Sequence, residues 1–335
     1  MKKILVIGAT GAMGTYLVPE LIRRGYAVDA ASLDDMSYTH PNLRHIKENM
    51  FDPDTLKSVL ANGYDAIVDF LIYNKKEKFE AVMPIFLEAT KHYIYLSTYR
   101  IYAGEYPITE ESPRLIDVTD DEVLLNSGDY CIYKAEGENV LRASSYDNWT
   151  IIRPAITFSK RRFQLTTLEA SVLMYRIFNN KTVVLPEAAM DIQATMTWAG
   201  DVAKMIAGLL FNPKAYKEAF TVSTNEHHTW REVAGIYERV CGLKYITAST
   251  DDYVYILSGT NNVNTSQQLV YDRCFNRVID NSKILDATGM KEQDLTPIEI
   301  ALRMEFANLM PGDIPHSVEI NERMDEYLKA HGIDE

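Results

Sequence analysis

A chain of 335 residues with 47% hydrophobic and 24% charged residues is large enough for one big core or two closely joined ones. Its 34 basic against 47 acidic side chains leave a net charge of −13, which excludes a broad cationic face for a phosphate backbone; no nucleic-acid partner is expected. Three scattered cysteines (Cys131, Cys241, Cys274) and no run approaching the ~20 apolar residues of a membrane span point to a reduced, cytoplasmic protein off the membrane.

Lys2 and Lys3 before the apolar run 4–7 could open a signal peptide, but the run ends in glycines and the charged Glu20, Arg23 and Arg24 follow. Residues 4–7 instead predict a buried strand, 14–24 a helix and 27–32 a second strand. Helical spacing returns over 54–62, then a strand at 66–72, a helix at 79–91 and a strand at 93–97. Residues 128–143 predict a helix and 150–157 a strand containing Arg153-Pro154. Such alternation implies an α/β protein with a doubly wound parallel sheet. Beyond residue 158 the regularity falls: helices are expected at 166–178, 201–210 and 229–240. Residues 195–198 are expected to return to the main sheet, and 258–268 to form a long polar loop.

Gly8, Gly11 and Gly14, with Thr10, Ala12 and Met13 between them, fall between the first strand and the first helix. A turn there needs glycine for its tightness and for close approach of main-chain N–H groups to a diphosphate. A dinucleotide cofactor is the expectation. Tyr130 and Lys134 are the only pair with Y-x-x-x-K spacing; four residues apart on a helix, they share a face, where an ammonium lowers a phenol's pKa toward working pH.

These features together resemble the short-chain dehydrogenase/reductase superfamily, in its extended, NAD-dependent epimerase/dehydratase branch. The G-x-x-G-x-x-G spacing, the Ser97-Thr98-Tyr99-Arg100-Ile101-Tyr102 segment and the Tyr130/Lys134 pair carry the likeness in the first half. Trp198 with Asp201, Glu226 with Thr229-Trp230, and the Asp280-Asn281-Ser282-Lys283 element of bacterial epimerase-like proteins extend it into the second. The resemblance implies a Rossmann-like domain over residues 1–157 and about 190–212. A smaller mixed α/β substrate domain would take about 158–189 and 213–335, and a homodimer is usual in the family.

It further implies Thr98, Tyr130 and Lys134 as the catalytic triad, with Lys134 also holding the nicotinamide ribose. Ser32 occupies the place where NAD-using members carry an acid. Asp34 and Asp35 follow it, and no Lys or Arg lies between Arg24 and Arg44, so NAD is expected ahead of NADP. Asn49 and Met50 match the adenine-binding segment with Asn49 in place of an acid; Phe70, Tyr73 and Pro154 would line the cofactor. Tyr99-Arg100 stands where 4,6-dehydratases carry Asp-Glu, which argues against dehydration by that route. Arg162, Arg273 and Arg277, with Lys160 and Arg161, are candidates for clamping a nucleotide-diphosphate sugar. No metal is expected: His227-His228 has no spaced partner.

The favoured function is epimerisation or oxidation of such a sugar by transient hydride transfer. An NADPH-dependent reductase of a small ketone or aldehyde would use the same triad. A non-catalytic dinucleotide- or RNA-binding regulator is the third possibility.

Overall fold

The computed structural model describes residues 1–104, 106–260 and 262–333. Its centre is a seven-stranded, wholly parallel sheet. The strands are β1 (Lys3–Ile7), β2 (Ala27–Ser32), β3 (Leu43–Lys47), β4 (Ala66–Asp69), β5 (Tyr93–Leu96), β6 (Trp149–Pro154) and β7 (Glu218–Val222). They lie in the order β7-β6-β5-β4-β1-β2-β3. The chain therefore reverses direction across the sheet between β1 and β4, where ligands of open α/β sheets bind beyond the strands' carboxyl ends.

Alternate residues of each strand point to opposite faces, and both faces are covered. Ile4, Val6, Val28, Ala30 and Val68 pack with Leu17, Val18 and Leu21 of the helix Gly14–Arg23 and with Val202, Met205 and Ile206 of Ala199–Leu209. Leu5, Ile7, Ile67, Tyr93 and Ile151 pack with Leu56 of Pro53–Leu60, Phe86 of Lys76–Ala89 and Leu141 of Tyr130–Ala143. This is the doubly wound Rossmann-like class expected. β3 was not foreseen, because its Leu-Arg-His-Ile-Lys sequence is a half-exposed edge with no apolar run to signal it.

Three expectations beyond residue 158 need correction. Residues 196–198 do not join the main sheet: Met196–Trp198 pairs in parallel with Ile156–Phe158, a strand set off from β6. The seventh place in the main sheet goes to Glu218–Val222, from the stretch assigned to the substrate half; its four buried residues suit a covered strand. Nor is 258–268 a loop throughout, since Val263–Gln268 forms a helix that runs into a wide turn at Leu269–Arg273. Polar composition concealed that helix. A second core gathers Phe163, Leu165, Leu173, Val184, Trp230, Tyr237 and Tyr253, with the parallel pair Thr182–Pro186 and Lys244–Ala248 at its edge.

Candidate functional site

A cavity of about 730 Å³ opens beyond the carboxyl ends of β1, β2, β4, β5 and β6. The glycine turn forms one wall. Gly8 has φ +78°, a conformation that glycine alone adopts without strain. A Cβ on Gly14 would lie 2.6 Å from the Gly8 and Ala9 carbonyl oxygens, so only glycine lets the helix start this close to the strand end. Met13, at the N-cap of Gly14–Arg23, contributes no side-chain cap. Thr15 and Tyr16 of the first turn donate back to the Gly11 and Met13 carbonyls, whereas no hydrogen bond is made by the N–H groups of Ala12, Met13 and Gly14 among the described residues, and these fit the diphosphate of a dinucleotide.

Gly8, Thr10, Gly11, Ala12, Met13, Gly14, Ser32, Asp34, Asn49, Met50, Phe70 and Pro154 all line this cavity. At its β2 end the Thr10 hydroxyl donates to Asp34 (3.2 Å), and the Ser32 hydroxyl donates to the Asp34 carbonyl (2.8 Å). Lys47, brought beside β2 by the edge strand, pairs with Asp35 at 2.7 Å. The sequence interval from Arg24 to Arg44 thus understated the cations near this end. Tyr73 is a correction: it is buried and donates its hydroxyl to Asp69 (3.0 Å), away from the cavity wall.

Thr98, at the end of β5, and Tyr130, the first residue of Tyr130–Ala143, face the same cavity. The Thr98 hydroxyl accepts from the Arg100 N–H at 3.2 Å and so caps the short turn Tyr99–Ile101. Asp129 caps the Tyr130 helix, accepting from the Cys131 N–H at 2.9 Å.

Lys134 is the second correction. It is fully buried and does not line the cavity. Its ammonium lies 5.8 Å from the Tyr130 ring centre and donates to the Leu96 (2.5 Å) and Leu71 (3.3 Å) carbonyls. Burial pulls its pKa down to about 8, against the pull of Asp69 and Glu138. Tyr130 also departs from expectation: burial raises its pKa, while Arg162 and Arg100, rather than Lys134, oppose the rise.

The arginines divide. Arg162 and Arg273 line the cavity; Arg277 does not. Its buried guanidinium is spent on Asp272 (3.1 Å) and on the Tyr102 (3.1 Å) and Tyr271 (3.2 Å) carbonyls, so it is a packing residue rather than a clamp. Arg161 lines the cavity as well, and Arg100 joins the lining without having been singled out as a ligand-binding residue. Arg100 carried a sequence signal, a cation in place of the dehydratase acid; Gln164, also in the wall, carried none. The cavity is electrically divided: its lining acids are Asp34 and Glu48, near β2, and its lining cations are Arg100, Arg161, Arg162 and Arg273.

One carboxylate ties distant segments of the chain together. Glu305, on Ile298–Ala307, accepts from the Tyr16 hydroxyl, from Trp198 Nε1 (2.5 Å) and from the Lys160 N–H (2.7 Å). Tyr16 follows the glycine turn, and Lys160 precedes the two mouth arginines.

The sheet and the helices that cover it have the fold of a solved short-chain dehydrogenase/reductase superfamily protein with bound NAD from Agrobacterium tumefaciens (15% identity, TM-score 0.65, covering 98% and 99% of the two chains). A family model described as NAD(P)H-binding matches residues 8–176, half of the chain, and the chain belongs to that family. An epimerase from Methanothermobacter thermautotrophicus has the same fold, at 15% identity, TM-score 0.68 and 91% coverage of each chain. So do the UDP-glucose 4-epimerase of Thermus thermophilus complexed with NAD (16%, 0.66, 93% and 100%) and the dTDP-glucose 4,6-dehydratase of Bacillus anthracis complexed with NAD (14%, 0.67, 98% and 99%). Among curated proteins, the chloroplast stem-loop binding protein of 41 kDa b from Arabidopsis thaliana is 26% identical over 250 residues, 70% of this chain. The chain spans 61% of that relative's length. Among the described residues, no helix is long and apolar enough to cross a membrane.

Proposed function

We propose that this protein is an epimerase or oxidoreductase acting on a nucleotide-diphosphate sugar, with NAD as its preferred cofactor. The observation that carries the proposal is that Thr98 and Tyr130 face one cavity together with the glycine turn, while Lys134 lies behind Tyr130. A nicotinamide held there would supply a hydride acceptor for the substrate carbon and, for an epimerase, the means of its return.

Thr98 and Tyr130 would hold the oxygen on that carbon. Tyr130, whose burial favours the protonated phenol, suits proton delivery to a carbonyl oxygen. Taking a proton from a hydroxyl draws instead on the nearby positive charge of Arg162 and Arg100. Lys134, braced by two carbonyls, would orient the strand ends under the cofactor. The acidic β2 end disfavours a 2'-phosphate, and Lys47 there is already neutralised by Asp35. The division into a cofactor half and a substrate half belongs to the same proposal.

Titration with NAD+ and NADP+, followed by a screen of nucleotide sugars for interconversion without net NADH, tests it. Tighter binding of NAD+ and epimerised product are expected. Absence of dinucleotide binding would sink it, and stoichiometric consumption of added cofactor would replace the epimerase by a reductase.

One observation favours a second reading, RNA binding: the identity to the Arabidopsis protein, whose name says it binds a stem-loop. Salt-sensitive binding of a stem-loop RNA, undisturbed by NAD+, would support that reading against the first.

A further inference from the structure

Glu305 is a buried carboxylate with a different structure on each of its two oxygens. Oε1 accepts from the Tyr16 hydroxyl and from Trp198 Nε1, and Oε2 accepts from the Lys160 N–H. On the Oε1 side, Tyr16 stands in the first turn of Gly14–Arg23, where its own N–H meets the Met13 carbonyl at 3.1 Å. Its ring lies 5.6 Å from that of Trp198 at 73°, and a Cβ on Gly200 would overlap the indole, so the glycine leaves Trp198 its place.

On the Oε2 side, Lys160 lies in a turn closed by two hydrogen bonds, Arg162 N–H to the Ser159 carbonyl (2.8 Å) and Ser159 N–H to the Arg162 carbonyl (3.1 Å). This turn carries Arg161 and Arg162 into the cavity wall. Its side chains make exposed pairs, Lys160 with Asp313 at 2.9 Å and Arg162 with Glu169 at 3.8 Å. Exposed pairs hold a loop weakly, so the buried bond to Glu305 is the firmer tether.

A diphosphate accepting from the N–H groups of Ala12, Met13 and Gly14 steadies the turn that carries Tyr16. Two hydrogen bonds separate Tyr16 from the arginine turn, and ordering one element lowers the entropic cost of ordering the next. We infer that Glu305 is a positioning residue, through which an occupied dinucleotide site orders the turn that presents Arg161 and Arg162. From the function proposed above the inference takes only that an anionic group of the substrate meets these arginines.

Hydrogen exchange of the full chain with and without NAD+, read at the amides of residues 160–162, tests this. The ratio of the two rates reports coupling, whereas a merely structural tie changes both rates alike. In the native chain NAD+ is expected to slow these amides about fivefold or more. Tyr16→Phe keeps the ring beside Trp198 and removes the hydroxyl; it is expected to bind NAD+ within about threefold of the native affinity and to cut the slowing below about twofold. Glu305→Gln, which keeps the shape but offers one acceptor oxygen in place of two, is expected to behave alike and replaces Tyr16→Phe should that variant fail to fold. NAD+ binding without slowing in the native chain overturns the inference, as does slowing that survives both substitutions. Titration of the NAD+-loaded chain with UDP-glucose and dTDP-glucose separates the two proposals. If the amides slow but neither sugar nucleotide binds, the nucleotide-sugar reading falls and the role of Glu305 stands. If one binds and the amides do not slow, the role of Glu305 falls and that reading stands.

Discussion

Lys134 and Asp69 are joined through a single residue: Leu71 gives its carbonyl to the ammonium at 3.3 Å and its N–H to the carboxylate at 2.9 Å. Asp69 also accepts from the Tyr93 (2.7 Å) and Tyr73 (3.0 Å) hydroxyls. Burial raises the Asp69 pKa and lowers that of Lys134, so each group needs the other to stay charged. The loop after β4 is thereby tied to the helix that carries Tyr130.

A pH dependence follows. The folded pKa of Lys134, about 8, lies below the ~10.4 of a free lysine, so between these values the unfolded chain binds the extra proton. Stability contributed by Lys134 therefore rises with pH across that window, by about 1.4 kcal/mol per unit. Urea unfolding of the native chain and of Lys134→Met at pH 8 and pH 9.5 should show this gain in the native chain alone. Equal gains in both would assign the titration elsewhere.

His92 acts at the acid end. Its Nε2 lies 2.8 Å from the Thr150 hydroxyl, and its Nδ1 accepts from the Phe211 N–H at 3.0 Å; burial lowers its pKa to about 4. The stability it contributes is complete above about pH 6.5 and is lost as pH falls toward 4, a loss of about 3 kcal/mol. His92→Gln should show a flatter decline of unfolding free energy over that range.

Tyr130→Phe removes a proton donor but not the ring that packs at a T-shaped angle on Tyr133. Turnover should fall about 100- to 10,000-fold while NAD+ affinity stays within about threefold. Retained turnover would remove Tyr130 from the chemistry.

Gly14→Ala places a methyl group 2.6 Å from main-chain atoms of Gly8 and Ala9, which cannot swing aside. A loss of about 1–3 kcal/mol of stability is expected, together with most of the NAD+ affinity. Thermal melts with and without NAD+ separate the two effects.

The glycine turn was legible in the sequence because its signals are local: glycines at 8, 11 and 14 sit between periodicities of two different kinds, and the turn depends on little else. Thr98 and Tyr130 could be paired only through their resemblance to a family, being 32 positions apart, and both do face the cavity. Burial was not legible. Lys134 and Tyr73 read as ligand contacts, yet both turn inward toward Asp69, whose carboxylate carried no motif. Arg273 and Arg277 looked equivalent, and only the packing around Asp272 spends one of them completely. The strand at 218–222 was missed for its place rather than its pattern, since nothing local says which sheet a strand will join.

Glu305 accepts from Tyr16 across 289 positions of chain. The glycine wall is made long before that carboxylate, so the first helix waits unlatched through 289 further positions and the turn bearing Arg161 and Arg162 through the stretch from there to Glu305. Order of synthesis thereby becomes order of assembly: the glycine wall can take shape early, and the mouth of the cavity locks only after Glu305 has been made.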